Sequence, residues 1–168
     1  VGLAAGNETG VQGILLYLTI YVFMNIGTFA CILAMRRQGR MVEDIDQLAG
    51  LSKTNPYLAA ALAVFMFSMA GIPPLAGFFA KFYVFLAAIE AGLYVLTVVG
   101  LLTSVVGAYY YLRIVKLMYF DEPAEAFDRA PGREITVIVT VTGLITMFFF
   151  IGLAPVLDGA EAAAAVLF

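Results

Sequence analysis

The sequence predicts an all-α, multi-pass membrane protein of four transmembrane helices, the second one broken at Gly71-Ile72-Pro73-Pro74. Three observations carry this. The 168 residues are 63% hydrophobic and only 12% charged, whereas a soluble domain carries about 25% charged residues. Four apolar segments reach the roughly 20 residues that a helix needs to cross a bilayer. No alternating strand pattern accompanies them, and only helices and closed barrels can satisfy their backbone groups inside lipid.

The first span is expected at Val11 to Met35 (11–35). It holds Asn25 near mid-span, whose amide is expected to bond a neighbouring helix, and Cys31. A single cysteine forms no disulfide within the chain and no metal site, so Cys31 reads as a small packing residue. A basic loop follows, with Arg36, Arg37, Arg40 and Lys53. Within it Ile45, Leu48 and Leu51 recur every third residue, which suggests a short amphipathic turn on the membrane face.

Asn55-Pro56 opens the second span as a cap followed by a first-turn proline. The apolar run then continues from Tyr57 to Ile89 (57–89), too long for one straight helix. Pro73 and Pro74 lack N–H groups, and their rings clash with the preceding turn at about 3 kcal/mol each. Ile72 is pushed away from helical geometry by the proline after it, and Gly71 and Gly77 let the backbone bend. Two half-helices are expected, Tyr57 to Ala70 and Leu75 to Ile89, with the break near 71–77.

The third span is expected at Ala91 to Leu112 (91–112), closing on Tyr109, Tyr110, Tyr111, Arg113 and Lys116, an interfacial belt with snorkelling basic residues. A loop with Arg129 and Arg133 leads to the fourth span at Ile135 to Leu157 (135–157). The Ala-rich tail from Asp158 to Phe168 reads as a frayed helix outside the membrane. Ser68, Thr97, Thr103, Ser104, Thr140, Thr142 and Thr146 are polar residues within the spans, suited to hydrogen bonds across helices. All nine Lys and Arg residues except Lys81 lie in or beside the two loops between spans one and two and between spans three and four. The positive-inside rule puts those loops in the cytoplasm, and both chain ends and the Glu90 turn outside. The absence of an initiator Met reads as a piece of a longer protein.

Lys81 is the candidate catalytic residue. A charge near the bilayer centre costs roughly 2.5–3.5 kcal/mol on insertion scales, and such residues are functional suspects by default. It lies near the start of the second half-helix, where the positive helix end and removal from water both oppose an added charge. A lysine so placed can take and give a proton. The competing view is a proline kink with Lys81 snorkelling to the surface. Phe78, Phe79, Phe82, Tyr83 and Phe85 surround it in sequence, as packing residues or with one gating water entry. No Gly-rich nucleotide loop and no metal-ligand cluster occurs, so no cofactor and no redox centre is expected in this chain.

The run from Ser68 to Phe85, with Gly71-Ile72-Pro73-Pro74 and Lys81-Phe82-Tyr83-Val84-Phe85, resembles the broken helix of the antiporter-like subunits of respiratory complex I, the proton-translocating NADH–quinone oxidoreductase. Tyr109 to Tyr119, Asp46 to Leu51 and Tyr21 to Asn25 resemble the subunit N family among them. The resemblance covers nearly the whole chain. It implies that residues 1–168 are the last four helices of an antiporter-like membrane domain, in a bacterial inner membrane. It further implies that Lys81 exchanges protons with the outer side, driven by NADH-to-quinone electron transfer in other subunits. The implied partners are other membrane-arm subunits and the lipid bilayer, not nucleic acid, with protons as the transported ion. Gly-Ile-Pro-Pro alone is shared with cation/proton antiporters, so a stand-alone or Mrp-type antiporter is the alternative. A purely structural membrane piece is a third.

Overall fold

A computed structural model describes residues 1–128 and 132–167. Arg129 of the second basic loop and Phe168 of the tail lie outside the described residues. The chain runs through α1 (Gly2–Ala5), α2 (Glu8–Ala34), a two-stranded hairpin of β1 (Arg36–Arg37) and β2 (Arg40–Met41), a 3-10 turn (Ile45–Leu48) and α3 (Leu51–Thr54). It continues through α4 (Pro56–Ala70), α5 (Ala76–Glu90), α6 (Tyr94–Phe120), α7 (Arg133–Phe148), a second 3-10 turn (Phe149–Ile151) and α8 (Leu153–Ala165). Among the described residues, three helical segments are long and apolar enough to cross a membrane: α2, α6, and α7 with its 3-10 extension. The apolar α4 is shorter. At 1.5 Å per residue, the 15-residue α4 and α5 are each about 22 Å long, short of a hydrocarbon core of about 30 Å.

α2 is the central helix and packs on α4, α5, α7 and α8. It begins earlier than the hydropathy boundary because the Asn7 side chain accepts from the Gly10 N–H at 2.8 Å, and Glu8 sits in its first turn. Its buried residues Leu16, Ile20, Met24, Gly27, Cys31 and Ala34 recur at three- and four-residue steps. The close approach of α4 depends on Gly27, where an added Cβ would fall 2.1 Å from Phe65 Cζ. Asn25 departs from expectation: its amide donates to the Tyr21 carbonyl of its own helix at 2.8 Å. That carbonyl lies one turn back on its own helix.

Two buried clusters result. One joins Cys31, Leu51, Leu58, Leu62, Phe65, Met118 and Val139, and the other joins Leu16, Ile20, Met24, Ala76, Ala80 and Phe149. Between helices in lipid such contacts act through close packing and hydrogen bonds rather than through a hydrophobic drive.

The basic loops pack into one another at one end of the bundle. Gly50 N–H donates to the Leu117 carbonyl, Ala124 N–H to Ala49, and Asp128 N–H to Arg36. Arg37 donates to the Gln47 side chain at 2.8 Å and to the Glu125 carbonyl, and lies over the Phe127 ring. Leu48 and Leu51 turn into the core, while Ile45 stays exposed. The hairpin turn places both Gln38 and Gly39 at positive φ, as a two-residue type I′ connection requires. The Asp128 carboxylate accepts from the N–H groups of both, each at 2.9 Å. Those backbone bonds, Gly39's first, hold its carboxyl below the usual aspartate range, helped by Arg37.

Three expected boundaries are corrected. α6 continues to Phe120, well past Leu112, because Val115 and Met118 are buried against α4 and carry Arg113 and Lys116 along as helix. The fourth span is not one helix over 135–157. α7 ends at Phe148, and the chain turns through Phe149–Ile151 into α8. Pro155 explains this, since a continuous helix would drive its ring into the preceding turn, whereas a first-turn proline is tolerated. The tail is not frayed. α8 lies on α2, with Ala160 and Ala164 buried and the Leu157 carbonyl accepting from Gln12 Nε2 at 3.4 Å.

Candidate functional site

The break between α4 and α5 builds the site, and its logic is one of carbonyl groups. A helix end leaves its last four C=O groups without intrahelical partners. At the end of α4 these belong to Phe67, Ser68, Met69 and Ala70. Gly71 takes a left-handed conformation with φ 88°, so its N–H returns to the Ser68 carbonyl at 2.9 Å and Ile72 N–H to that of Phe67 at 3.1 Å. This is a Schellman-type ending, for which glycine is the favoured residue. It leaves the carbonyls of Met69 and Ala70, which accept from Lys81 Nζ at 2.9 and 3.3 Å. The third proton of the ammonium goes to Ser104 Oγ on α6 at 2.7 Å. Hydrogen bonds to a charged donor are worth about 1.5–3 kcal/mol each.

This arrangement corrects part of the electrostatic expectation. The positive start of α5 does lie one turn before Lys81. The lysine stem nevertheless carries the ammonium back to the carbonyl end of α4, where the helix field favours a cation. Two half-helix ends of opposite sense therefore act on one charge. Lys81 is half-buried and folded onto its own broken span. Among the described residues its hydrogen-bond partners are two carbonyls and one hydroxyl, with no carboxylate.

The start of α5 is fixed by Ser68 and Gly77. Gly77 N–H donates to Ser68 Oγ at 2.9 Å, and that hydroxyl donates to Met24 Sδ at 2.9 Å, binding α4, α5 and α2 at one point. Nothing larger than glycine fits, since a Cβ at Gly77 would lie 1.9 Å from the Ser68 carbonyl oxygen. Pro73 and Pro74 occupy the non-helical link and need no donor partners there.

Two cavities meet at Lys81. One, of about 390 Å³, is walled mainly by Val1, Leu3, Ile14, Leu18, Val84 and Phe85, and is almost wholly apolar. The other, of about 270 Å³, is more polar, with Tyr21, Ser68, Thr103 and Tyr111 in its wall. Tyr17, Lys81 and Ser104 border both. Each volume far exceeds the roughly 10–15 Å³ that one water requires.

Of the aromatic residues expected near Lys81, Phe85 lines the apolar cavity. Phe78, Phe79, Phe82 and Tyr83 pack on one another. Tyr111 lines the polar cavity, while Tyr109 and Tyr110 are exposed. Tyr17, stacked on Tyr21, gives no sequence signal beyond its place in an apolar helix. Ser104 is one of the span residues expected to hydrogen-bond across helices, and its partner proves to be Lys81, a pairing that the sequence does not name.

A family model described as NADH:quinone oxidoreductase/Mrp antiporter, TM, matches residues 1–107, a stretch that contains the broken span, Lys81 and Ser104. The chain belongs to this antiporter family. Within the family it is 61% identical over its full length to NADH-quinone oxidoreductase subunit N of Paramagnetospirillum magneticum, and 64% identical to that of Azorhizobium caulinodans. It spans about a third of those relatives, 34% and 35% of their lengths. Among solved structures it is similar to a chain of respiratory complex I from Thermus thermophilus with bound aureothin. The TM-score is 0.76 and the identity 32%, covering 90% of this chain and 35% of that one. Family membership and the long apolar helices together make it a multi-pass membrane protein.

Proposed function

We propose that this chain is part of a membrane-arm subunit of respiratory complex I, translocating protons across a bacterial inner membrane. NADH-to-quinone electron transfer in other subunits drives it, and Lys81 exchanges the protons. The observation that carries this is the setting of Lys81: a lysine at the broken span whose acceptors among the described residues are two carbonyls and a hydroxyl, bordering two cavities each large enough for several waters. The similarity to subunit N proteins and to a chain of complex I favours complex I over the alternative of an Mrp-type cation/proton antiporter.

The proposed topology is four passes, with α4 and α5 together making the second and both chain ends on the outer side. The Lys/Arg asymmetry supports it, as does the contact between the two basic loops at one end of the bundle. The partners are the remaining membrane-arm subunits and the lipid bilayer.

The test replaces Lys81 in the full-length subunit of the assembled enzyme and measures NADH oxidation and proton pumping together. Lys81→Ala removes the titrating group and is expected to lower pumping severalfold at near-normal assembly. Lys81→Arg keeps the charge but does not release it, since guanidinium stays protonated in proteins, and should impair pumping too. An arginine variant with wild-type pumping and an unchanged proton-to-electron ratio would show Lys81 to be a fixed charge and overturn the proposal.

A further inference from the structure

The three partners of Lys81 are not equivalent. Met69 O and Ala70 O are carbonyls, which only accept hydrogen bonds; Ser104 Oγ belongs to a hydroxyl, which both accepts and donates. An ammonium has three N–H donors and matches three acceptors. A neutral amine has two N–H donors and one lone pair. In the same geometry its two donors keep the carbonyls, and its lone pair accepts from the Ser104 hydroxyl. The site is thus complete in both protonation states, and reversal of a single hydrogen bond separates them.

Ser104 also occupies the position that such a reversal needs. The two carbonyls belong to the same broken span as the lysine, whereas Ser104 stands across from it on α6. Its neighbour Thr103 spends its hydroxyl on the Gly100 carbonyl at 2.9 Å. Ser104 makes no such bond to its own helix among the described residues, so its hydrogen is free to point elsewhere. Ser104 borders both cavities, as do Lys81 and Tyr17.

We infer that Ser104 is the proton-relay residue for Lys81. The N–H bond directed at Oγ breaks as a new O–H bond forms there. The original hydroxyl hydrogen passes to a water in one of the two cavities. Lysine ends as the neutral amine, serine is unchanged, and one hydronium is made; reprotonation runs the same steps backwards. This rests on the proton-exchange role proposed for Lys81.

The test uses the assembled enzyme carrying the full-length subunit, with variants Ser104→Ala, Ser104→Thr and Ser104→Cys, and with Lys81→Ala in parallel. Ser104→Ala is expected to slow proton pumping about tenfold, the factor that 1.4 kcal/mol of lost transition-state stabilisation produces. Ser104→Thr keeps the hydroxyl and should restore at least half of the wild-type rate. Ser104→Cys keeps the size but has a weak donor and acceptor, so it should behave like Ser104→Ala. Wild-type pumping by Ser104→Ala overturns the relay, as does equal impairment by Ala and Thr, which would mark a packing position. If Ser104→Ala fails to assemble, wild-type pumping by Ser104→Cys overturns it instead. Normal pumping by Lys81→Ala would defeat the lysine's role itself. Impairment by Lys81→Ala beside a normal Ser104→Ala defeats only the relay.

Discussion

Gly77→Ala tests the geometry of the break without replacing a polar side chain. The added Cβ would lie 1.9 Å from the Ser68 carbonyl oxygen, a backbone atom fixed by the end of α4. Ordinary contact begins at 3.4 Å, so the start of α5 must retreat by about 1.5 Å. That retreat also breaks the 2.9 Å bond from Gly77 N–H to Ser68 Oγ. Overpacking costs about 1–3 kcal/mol and the lost hydrogen bond about 1, against roughly 0.5–1 that alanine returns within a helix. A net loss of about 1–3 kcal/mol follows. Because α5 carries Lys81, the retreat also pulls the ammonium away from Met69 and Ala70. The assay is the amount of assembled enzyme on native gels across a range of growth temperatures, with proton pumping in membrane vesicles. Gly107→Ala is the control, since its only near neighbour is Tyr111 at 3.9 Å. The reasoning is refuted if Gly77→Ala matches Gly107→Ala in both heat resistance and pumping.

Gly27→Ala meets the Phe65 ring at 2.1 Å, whereas Gly143→Ala meets the same ring at 3.8 Å. Thermal loss of assembled enzyme should therefore be marked for the first and slight for the second. Asp128→Ala should loosen the hairpin turn at Gln38 and Gly39, read as increased mobility of a nitroxide attached at a cysteine replacing Met41. The Asp128 carboxyl is held below its usual range in the folded loop. Its contribution is therefore complete above the unfolded value of about 3.9 and fades as pH falls through the lowered folded value. The wild-type nitroxide should gain mobility only in that acid window, and the Asp128→Ala protein should show no such transition.

The break was legible because proline and glycine act locally: two missing N–H groups and one left-handed position determine where α4 must stop, whatever surrounds it. Helix ends set by distant packing were not legible. α6 runs past Leu112 because Val115 and Met118 find a buried partner in α4, a contact between residues about 50 positions apart. Pro155 was visible in the sequence. Hydropathy over 135–157 concealed it, because the turn at Phe149–Ile151 is as apolar as the helices it joins. Lys81 was conspicuous as a lone charge, whereas Ser104 belongs to the site only through a pairing of helices that one sequence does not record.

The break and the lysine are two parts of one device. In the proposed topology α4 ends inside the membrane, where each backbone group left unsatisfied in lipid costs several kcal/mol. The Schellman turn satisfies two of the four, and the two beyond its reach are those that Lys81 takes. A carboxylate would satisfy the lysine more tightly but would favour its charged state alone. Carbonyls and a hydroxyl hold it in place in either state. The lysine therefore stabilises the break that positions it, and its charge is left free to change. Removing either should harm the other: in the Lys81→Ala enzyme, Met69 and Ala70 lose the side-chain donor they have among the described residues, so the end of α4 should loosen, seen as faster amide exchange at Gly71 and Ile72 than in wild type. Unchanged exchange there would mean that the turn holds without the lysine and that the two features are separable.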